Sequence, residues 1–386
     1  MALTVIFGAT LLVAVLLSVL AQRTVLSLPL LFLGVGVLAG NSGSFQPSAE
    51  IVTHAADIAL FTVLFGDGMR AFRPDGPRQW HLPARTLLIA MPVATALVAA
   101  LTMLLTGLPV LAALLVAAVL APTDPVLVSG LLRREGVPRA LRHTLNVESG
   151  LNDGLALPAV IILIAALSTR REANPLMLTL ELGGGLALGM AFAAAFALLL
   201  RIPKMGAHGA LQPLGPLAVA LCLFGTADLL HANPYLAAFA AGAVLTRTAP
   251  QVAEEFDPLG QQVSELAKFF ALLLFGTLLH PYLLGHLSIG AVVLAVLVLV
   301  LARPFAVLLS LLRTGFDRRQ RLAVAWFGPK GLASVIYALY VAQAPVPQSE
   351  RIFAIVALVV VVSIAVHTTT DAPLARRVHT EELAGV

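Results

Sequence analysis

Long apolar runs alternate with short polar joints along the whole chain. Apolar runs of about 17–25 residues cross a bilayer as helices. Thirteen are legible, at about 2–20, 25–40, 52–72, 84–106, 108–132, 142–168, 175–201, 211–230, 234–247, 262–283, 286–312, 320–342 and 350–368. The joints carry turn chemistry, as in Asn41-Ser42-Gly43, Pro74-Asp75-Gly76-Pro77, Thr106-Gly107-Leu108-Pro109 and Asn233-Pro234. The pattern predicts an all-α polytopic membrane protein of about thirteen transmembrane helices.

Composition agrees. Of 386 residues, 59% are hydrophobic and 11% charged, where a soluble domain carries about 25% charge. The composition shows one regime throughout, so no appended soluble domain is expected. The first 20 residues lack a charged leader and an A-x-A site, and are expected to be a retained helix. The single cysteine, Cys222, excludes an intrachain disulfide framework and a cysteine-based metal cluster. It lies in an apolar run and is expected to be inert packing.

Charge predicts orientation. With the N-terminus outside, the inside loops and tail hold Arg23, Arg70, Arg73, Arg78, Arg85, Arg133, Arg134, Arg139, Arg142, Arg201, Lys204, Arg247, Arg313, Arg318, Arg319, Arg321, Arg376 and Arg377. That is 18 of the 24 Lys+Arg; the outside loops hold three, Arg170, Arg171 and Arg351. Basic residues concentrate on the cytoplasmic side, which places the C-terminus in the cytoplasm of a cell (inner) membrane protein. This loop clustering also accounts for a pI near 9.6 without nucleic acid as a partner.

Short matches recur at a near-constant offset. Pro29-Leu30-Leu31 returns as Pro234-Tyr235-Leu236 after 205 residues, and Leu64-Phe65-Gly66 as Leu274-Phe275-Gly276 after 210. Pro122 breaks the fifth run and Pro329 the twelfth, 207 apart. Seven spans separate the copies, so they have opposite topology. Inverted repeats with two broken helices mark secondary transporters. The expected organisation is a single membrane transporter domain with repeat one at about 1–168, a linker helix at about 175–201, repeat two at about 211–368 and a short tail at 369–386.

Polar chemistry concentrates in Val147-Glu148-Ser149-Gly150-Leu151-Asn152-Asp153-Gly154, inside the sixth run. Ionisable groups at membrane depth are functional candidates by default. At about 100° per residue, Asn152 shares a helix face with Glu148, and Asp153 with Ser149. In Ala121-Pro122-Thr123-Asp124-Pro125 the prolines remove backbone donors and disfavour helix before them. An unwound segment there frees carbonyls for a cation and leaves a positive half-helix end for a carboxylate to offset; the alternative is a proline kink with Asp124 as its cap. Asp153, Asp124, Thr123 and Ser149 offer hard oxygens, which suit a monovalent metal cation or a proton rather than zinc or copper. No cofactor is expected.

Arg303, in the eleventh run, needs a counter-charge if buried, and the Glu148/Asn152 face is a candidate; the alternative is that Arg303 snorkels to the interface. Lys330, in Gly328-Pro329-Lys330-Gly331, is the twelfth run's counterpart of Thr123-Asp124. Its ammonium offsets carbonyl ends of a broken helix, or it sits near the interface. Asp67 is open between function and a pair with Arg70. Asp57 is expected to be interfacial or structural, and no histidine is assigned to chemistry. Gly36/Gly40 and Gly185/Gly189 have the spacing of helix-packing contacts.

With these residues assembled, the chain resembles the Na⁺/H⁺ exchanger family of monovalent cation:proton antiporters, in its bacterial NhaP-like branch. The likeness runs from Pro29-Leu30-Leu31 to the thirteenth span, with Thr123-Asp124-Pro125 and Glu148-Ser149-Gly150-Leu151-Asn152-Asp153-Gly154 as its most specific parts. The resemblance implies a thirteen-helix fold with a dimerisation part and a mobile ion-carrying core, working as a homodimer by alternating access. It implies Asp153 as the shared cation/proton carboxylate, Asp124, Thr123 and Ser149 around it, and a structural cluster of Glu148, Asn152 and Arg303. One departure stands out: Lys330 occupies a position where the family commonly has arginine, and lysine does not reproduce a bidentate contact.

The expected function is Na⁺ (or Li⁺) exchange for H⁺, with K⁺/H⁺ antiport or a cation channel as alternatives. An intramembrane protease is disfavoured, because Phe65-Gly66-Asp67 is not Gly-x-Gly-Asp and no H-E-x-x-H occurs. Asn152 does not titrate, Glu148 is expected to stay ionised against Arg303, and Asp124 beside its half-helix end. One free carboxylate predicts electroneutral exchange.

Overall fold

The computed structural model describes residues 2–23, 27–43, 47–72, 80–124, 139–168, 174–203, 206, 209–279 and 285–379. Among them are fourteen helices and no strand: α1 (Ala2–Arg23), α2 (Leu28–Asn41), α3 (Ala49–Ala71), α4 (His81–Thr106), α5 (Val110–Val119), α6 (Arg139–Leu167), α7 (Pro175–Leu199), α8 (Leu214–Leu229), α9 (Pro234–Thr248), α10 (Pro250–Leu278), α11 (Ile289–Ser310), α12 (Arg318–Trp326), α13 (Leu332–Gln343) and α14 (Ser349–His379). Each predicted run finds a helix. The twelfth is divided between α12 and α13.

Local chemistry sets the ends. Side chains of Ser27, Ser48, Asn174, Asn233 and Ser288 accept from the first free backbone N–H groups of α2, α3, α7, α9 and α11. Asp317 and Gln320 form a reciprocal capping box on α12. Gly107, at φ 68°, closes α4 in the left-handed conformation. α10 corrects the sequence reading, which begins that span at 262. Pro250 opens a 29-residue helix instead, because proline at the first turn is preorganised for helix and the polar stretch after it is amphipathic rather than apolar.

The helices form two bundles. α2 lies along α10, and α3 along α9 and α10, with α7 and α8 behind α9. In the second bundle, α4, α5, α6, α11, α12, α13 and α14 pack together. α3, α9 and α10 of the first face α6 and α13 of the second.

Small residues permit the closest crossings. A Cβ on Gly36 would strike the Leu273 carbonyl and one on Gly276 the Leu33 carbonyl; likewise Gly242 meets the Phe65 carbonyl and Gly68 that of Phe239. The two crossings correspond, since Gly36 and Gly242 lie 206 residues apart and Gly68 and Gly276 lie 208 apart. α4 and α11 each contain a π-helical turn, Thr86–Ala90 and Val298–Ala302, 212 residues apart. Pro92 and Pro304 follow these turns closely and remove an N–H from the ladder. Gly40 abuts the Thr277 carbonyl, and Gly185 and Gly189 abut those of Asn233 and Ala237, so both G-x-x-x-G pairs are packing contacts.

Cys222 departs from its expected buried place and is exposed on α8. Where nearly every side chain is apolar, hydropathy does not distinguish the face toward lipid from the face toward protein.

Candidate functional site

The two broken helices meet at the centre of the second bundle. α5 ends at Val119, and Ala121 to Asp124 are non-helical; Pro125 lies outside the described residues, as do Arg133 and Arg134. Residues 327–331 separate α12 from α13. The breaks are joined by the Asp124 backbone N–H donating to the Pro329 carbonyl at 3.0 Å.

Each break supplies the charge that the other requires. Asp124 Oδ2 accepts from Leu332 N–H at 3.3 Å, placing a carboxylate on the positive start of α13. Lys330 Nζ donates to the Ala121 and Pro122 carbonyls, both at 3.4 Å, covering the negative end of α5. The carbonyls it offsets therefore belong to the opposite break. This approach needs Gly331, since a Cβ there would overlap the Asp124 side chain.

α6 runs beside the crossing. Asn152 Nδ2 donates to Thr123 Oγ1 at 2.7 Å, and Thr123 Oγ1 lies 3.2 Å from Ser149 Oγ. Arg303 NH1 meets Glu148 Oε1 at 2.9 Å, and both residues are buried, so Arg303 does not snorkel. Asn152 shares that face, but its Nδ2 donates to the break and its Oδ1 accepts nothing from the guanidinium. Glu148, Asn152, Arg303 and Lys330 line one small cavity.

Asp153 is buried, and its Oδ1 has no hydrogen-bond partner. Its charged neighbours are Asp67 on α3, whose carboxyl stands beside it, Asp124 and Lys268. Two buried carboxylates side by side disfavour each other's ionised form, which a proton or a cation between them relieves. Asp67 also accepts from Arg70 NH2 at 2.8 Å. The pair considered from sequence is thus present, in a carboxyl that also reaches Asp153. Thr123 and Ser149 meet through their hydroxyls, and Asp124 and Asp153 are charged neighbours, with Asp67 beside Asp153 from the first bundle. Among the described residues no three His, Cys, Asp or Glu side chains form a metal cluster.

Sequence reasoning left several groups here unassigned. Lys268 of α10 lies 3.8 Å from Asp124. Tyr337 of α13 donates to the Asp153 carbonyl at 2.7 Å. Ser363 Oγ accepts from Lys330 N–H at 2.7 Å, and His367 lies 3.1 Å from the Trp326 carbonyl through Nε2. Ser363 and His367 are one turn apart on an apolar helix, and that spacing was the available signal. Asp57 accepts from Tyr235 at 2.6 Å and from Tyr340 of α13, which tie the two bundles together.

Known proteins share this architecture. A potassium/proton antiporter, "K(+)/H(+) antiporter NhaP" of Alkalimonas amylolytica, is 29% identical over 385 residues, covering 96% of this chain and 66% of that protein. "K(+)/H(+) antiporter NhaP2" of Shewanella oneidensis is 30% identical, covering 94% and 65%. The chain thus spans just under two-thirds of the length of these curated relatives. The solved structure of the sodium proton antiporter MjNhaP1 from Methanocaldococcus jannaschii at pH 8 superposes with TM-score 0.82 at 20% identity, covering 98% of this chain and 100% of that one, which establishes the fold. The model of the transmembrane sodium/hydrogen exchanger family matches residues 8–377, and the chain belongs to that family.

Proposed function

We propose that the protein is a secondary antiporter exchanging a monovalent cation for a proton by alternating access. The observation that carries this reading is the Asp153 carboxyl: buried, with one oxygen unpartnered, beside Asp67 and Asp124 where two bundles meet. Such a carboxyl holds a proton or a cation, and not both well. In this reading Asp153 is the shared carrier, with Asp124, Thr123, Ser149 and Asp67 as surrounding ligands. Glu148, Asn152 and Arg303 hold the scaffold, and Lys330 closes the α5 break. Na⁺ is the first candidate and Li⁺ accompanies it. The printed names of the relatives favour K⁺ as the second reading.

The reading includes two inverted repeats, about 1–168 and 211–368, joined by a linker helix at about 175–201. The paired glycine crossings, π-helical turns and breaks at offsets of 206–212 residues support it. It also includes a homodimer in a cell (inner) membrane, N-terminus outside. The charge asymmetry of the loops supports that orientation. A reporter fused after Val386 is expected to behave as cytoplasmic; periplasmic phosphatase activity from the fusion would reverse the orientation.

Exchange is expected to be electroneutral, because one carboxylate trades one proton for one cation. In proteoliposomes, adding Na⁺, Li⁺ or K⁺ in turn should drive protons out for the transported ion. With Na⁺ as substrate and potentials clamped by valinomycin and K⁺, the zero-flux Na⁺ gradient should not move. A potential of 100 mV is worth about 2.3 kcal/mol per charge, so a second proton would shift it measurably. Current without counter-transport would instead identify a channel.

A further inference from the structure

Lys268 stands out in this site. It is buried on α10, a helix of the first bundle, and its ammonium lies 3.8 Å from Asp124 Oδ1 in the second. Asp67 and Asp153 also count it among their charged neighbours. Among the described residues, the formal charges around this point are three carboxylates, Asp67, Asp124 and Asp153, against two cations, Lys268 and Arg70. Glu148 is taken up by Arg303, and Lys330 turns to backbone carbonyls and makes no ion pair with these three carboxylates among the described residues, so the balance is drawn over the groups that meet directly. One negative charge remains.

We propose that Lys268 is the resident cation of the site, a fixed ammonium that leaves one negative charge to be completed by one monovalent cation or one proton. The inference rests on reading Asp124 and Asp153 as cation ligands and adds what sets the site's valence. Lysine suits the part. Its compact ammonium offsets the carboxylates by charge alone, with no bidentate geometry required. Without Lys268 the site presents two negative charges, and a cation binds more tightly. A unit charge removed at this range, with an effective dielectric constant of about 20, corresponds to an affinity gain of roughly tenfold or more.

The experiment uses the purified full chain at a fixed alkaline pH. Na⁺ and K⁺ are titrated while thermal stabilisation is followed in detergent, and exchange is followed in proteoliposomes. Lys268→Met should lower the half-saturating concentration of the transported cation about tenfold or more, whereas Lys268→Arg should stay within about threefold of wild type. Asp67→Asn should raise it, and adding Lys268→Met to Asp67→Asn should bring it back, since the double variant again presents one negative charge. This second pair decides the matter if Lys268→Met alone does not fold. A folded Lys268→Met with unchanged or weaker cation binding, or a double variant no better than Asp67→Asn, would overturn the role of Lys268. Asp153→Asn separates the two readings: cation stabilisation that persists in it refutes the site itself, whatever Lys268 does.

Discussion

Asp153→Asn is expected to abolish exchange while leaving the protein folded. The amide keeps the shape of the side chain and removes the group that we propose alternates between proton and cation. The Asp153 backbone carbonyl still accepts from Tyr337, so the local anchor between α6 and α13 survives. The lost oxygen charge strands no cation, because Lys268 keeps Asp124 as its partner at 3.8 Å. Cation-driven proton movement in proteoliposomes should fall to background. Gel-filtration profile and melting temperature should stay near wild type. Exchange at wild-type rates by the purified, folded variant would transfer the carrier role to Asp67 or Asp124.

Arg303→Ala should have the opposite signature, damaging stability more than chemistry. Its guanidinium is the ion-pair partner of Glu148 at 2.9 Å. It also packs against Gly328, where a Cβ would overlap it, so it fills space behind the break between α12 and α13. Removing it strands a buried carboxylate, and breaking such a pair costs about 3–5 kcal/mol. Adding Glu148→Gln removes the stranded charge and should recover part of that loss, leaving the packing defect. Thermal inactivation of the two variants side by side measures the difference. Equal stability of Arg303→Ala and the double variant would show that the pair contributes no net stabilisation.

The number and order of the helices were written in the sequence because a bilayer imposes a local rule. Each crossing needs enough apolar residues in a row, with its backbone hydrogen bonds satisfied within the segment. The two breaks were equally legible, since Pro122 and Pro329 act on their own neighbours in the chain. So was the juxtaposition of Glu148 with Asn152 and of Ser149 with Asp153, which follows from helical periodicity alone. The face that would meet Arg303 was also readable, because a buried charge demands a counter-charge and few were on offer.

The other partners across the fold were not legible. Asp124 caps α13 and Lys330 covers the end of α5, a crosswise exchange that depends on two breaks 207 residues apart meeting. Lys268 arrives at Asp124 from another bundle, in a helix that sequence reading began twelve residues late. Asp67, open in the sequence between function and a pair with Arg70, keeps that pair and also stands beside Asp153. Cys222 turned outward. In each case the deciding quantity was which surfaces of near-uniform apolar helices pack together. Hydropathy is nearly blind to that choice, because lipid tails and packed side chains are alike to an apolar residue. Small residues that permit close approach, and the few charges that must find partners, decide it, and their distances exist only once the chain is folded.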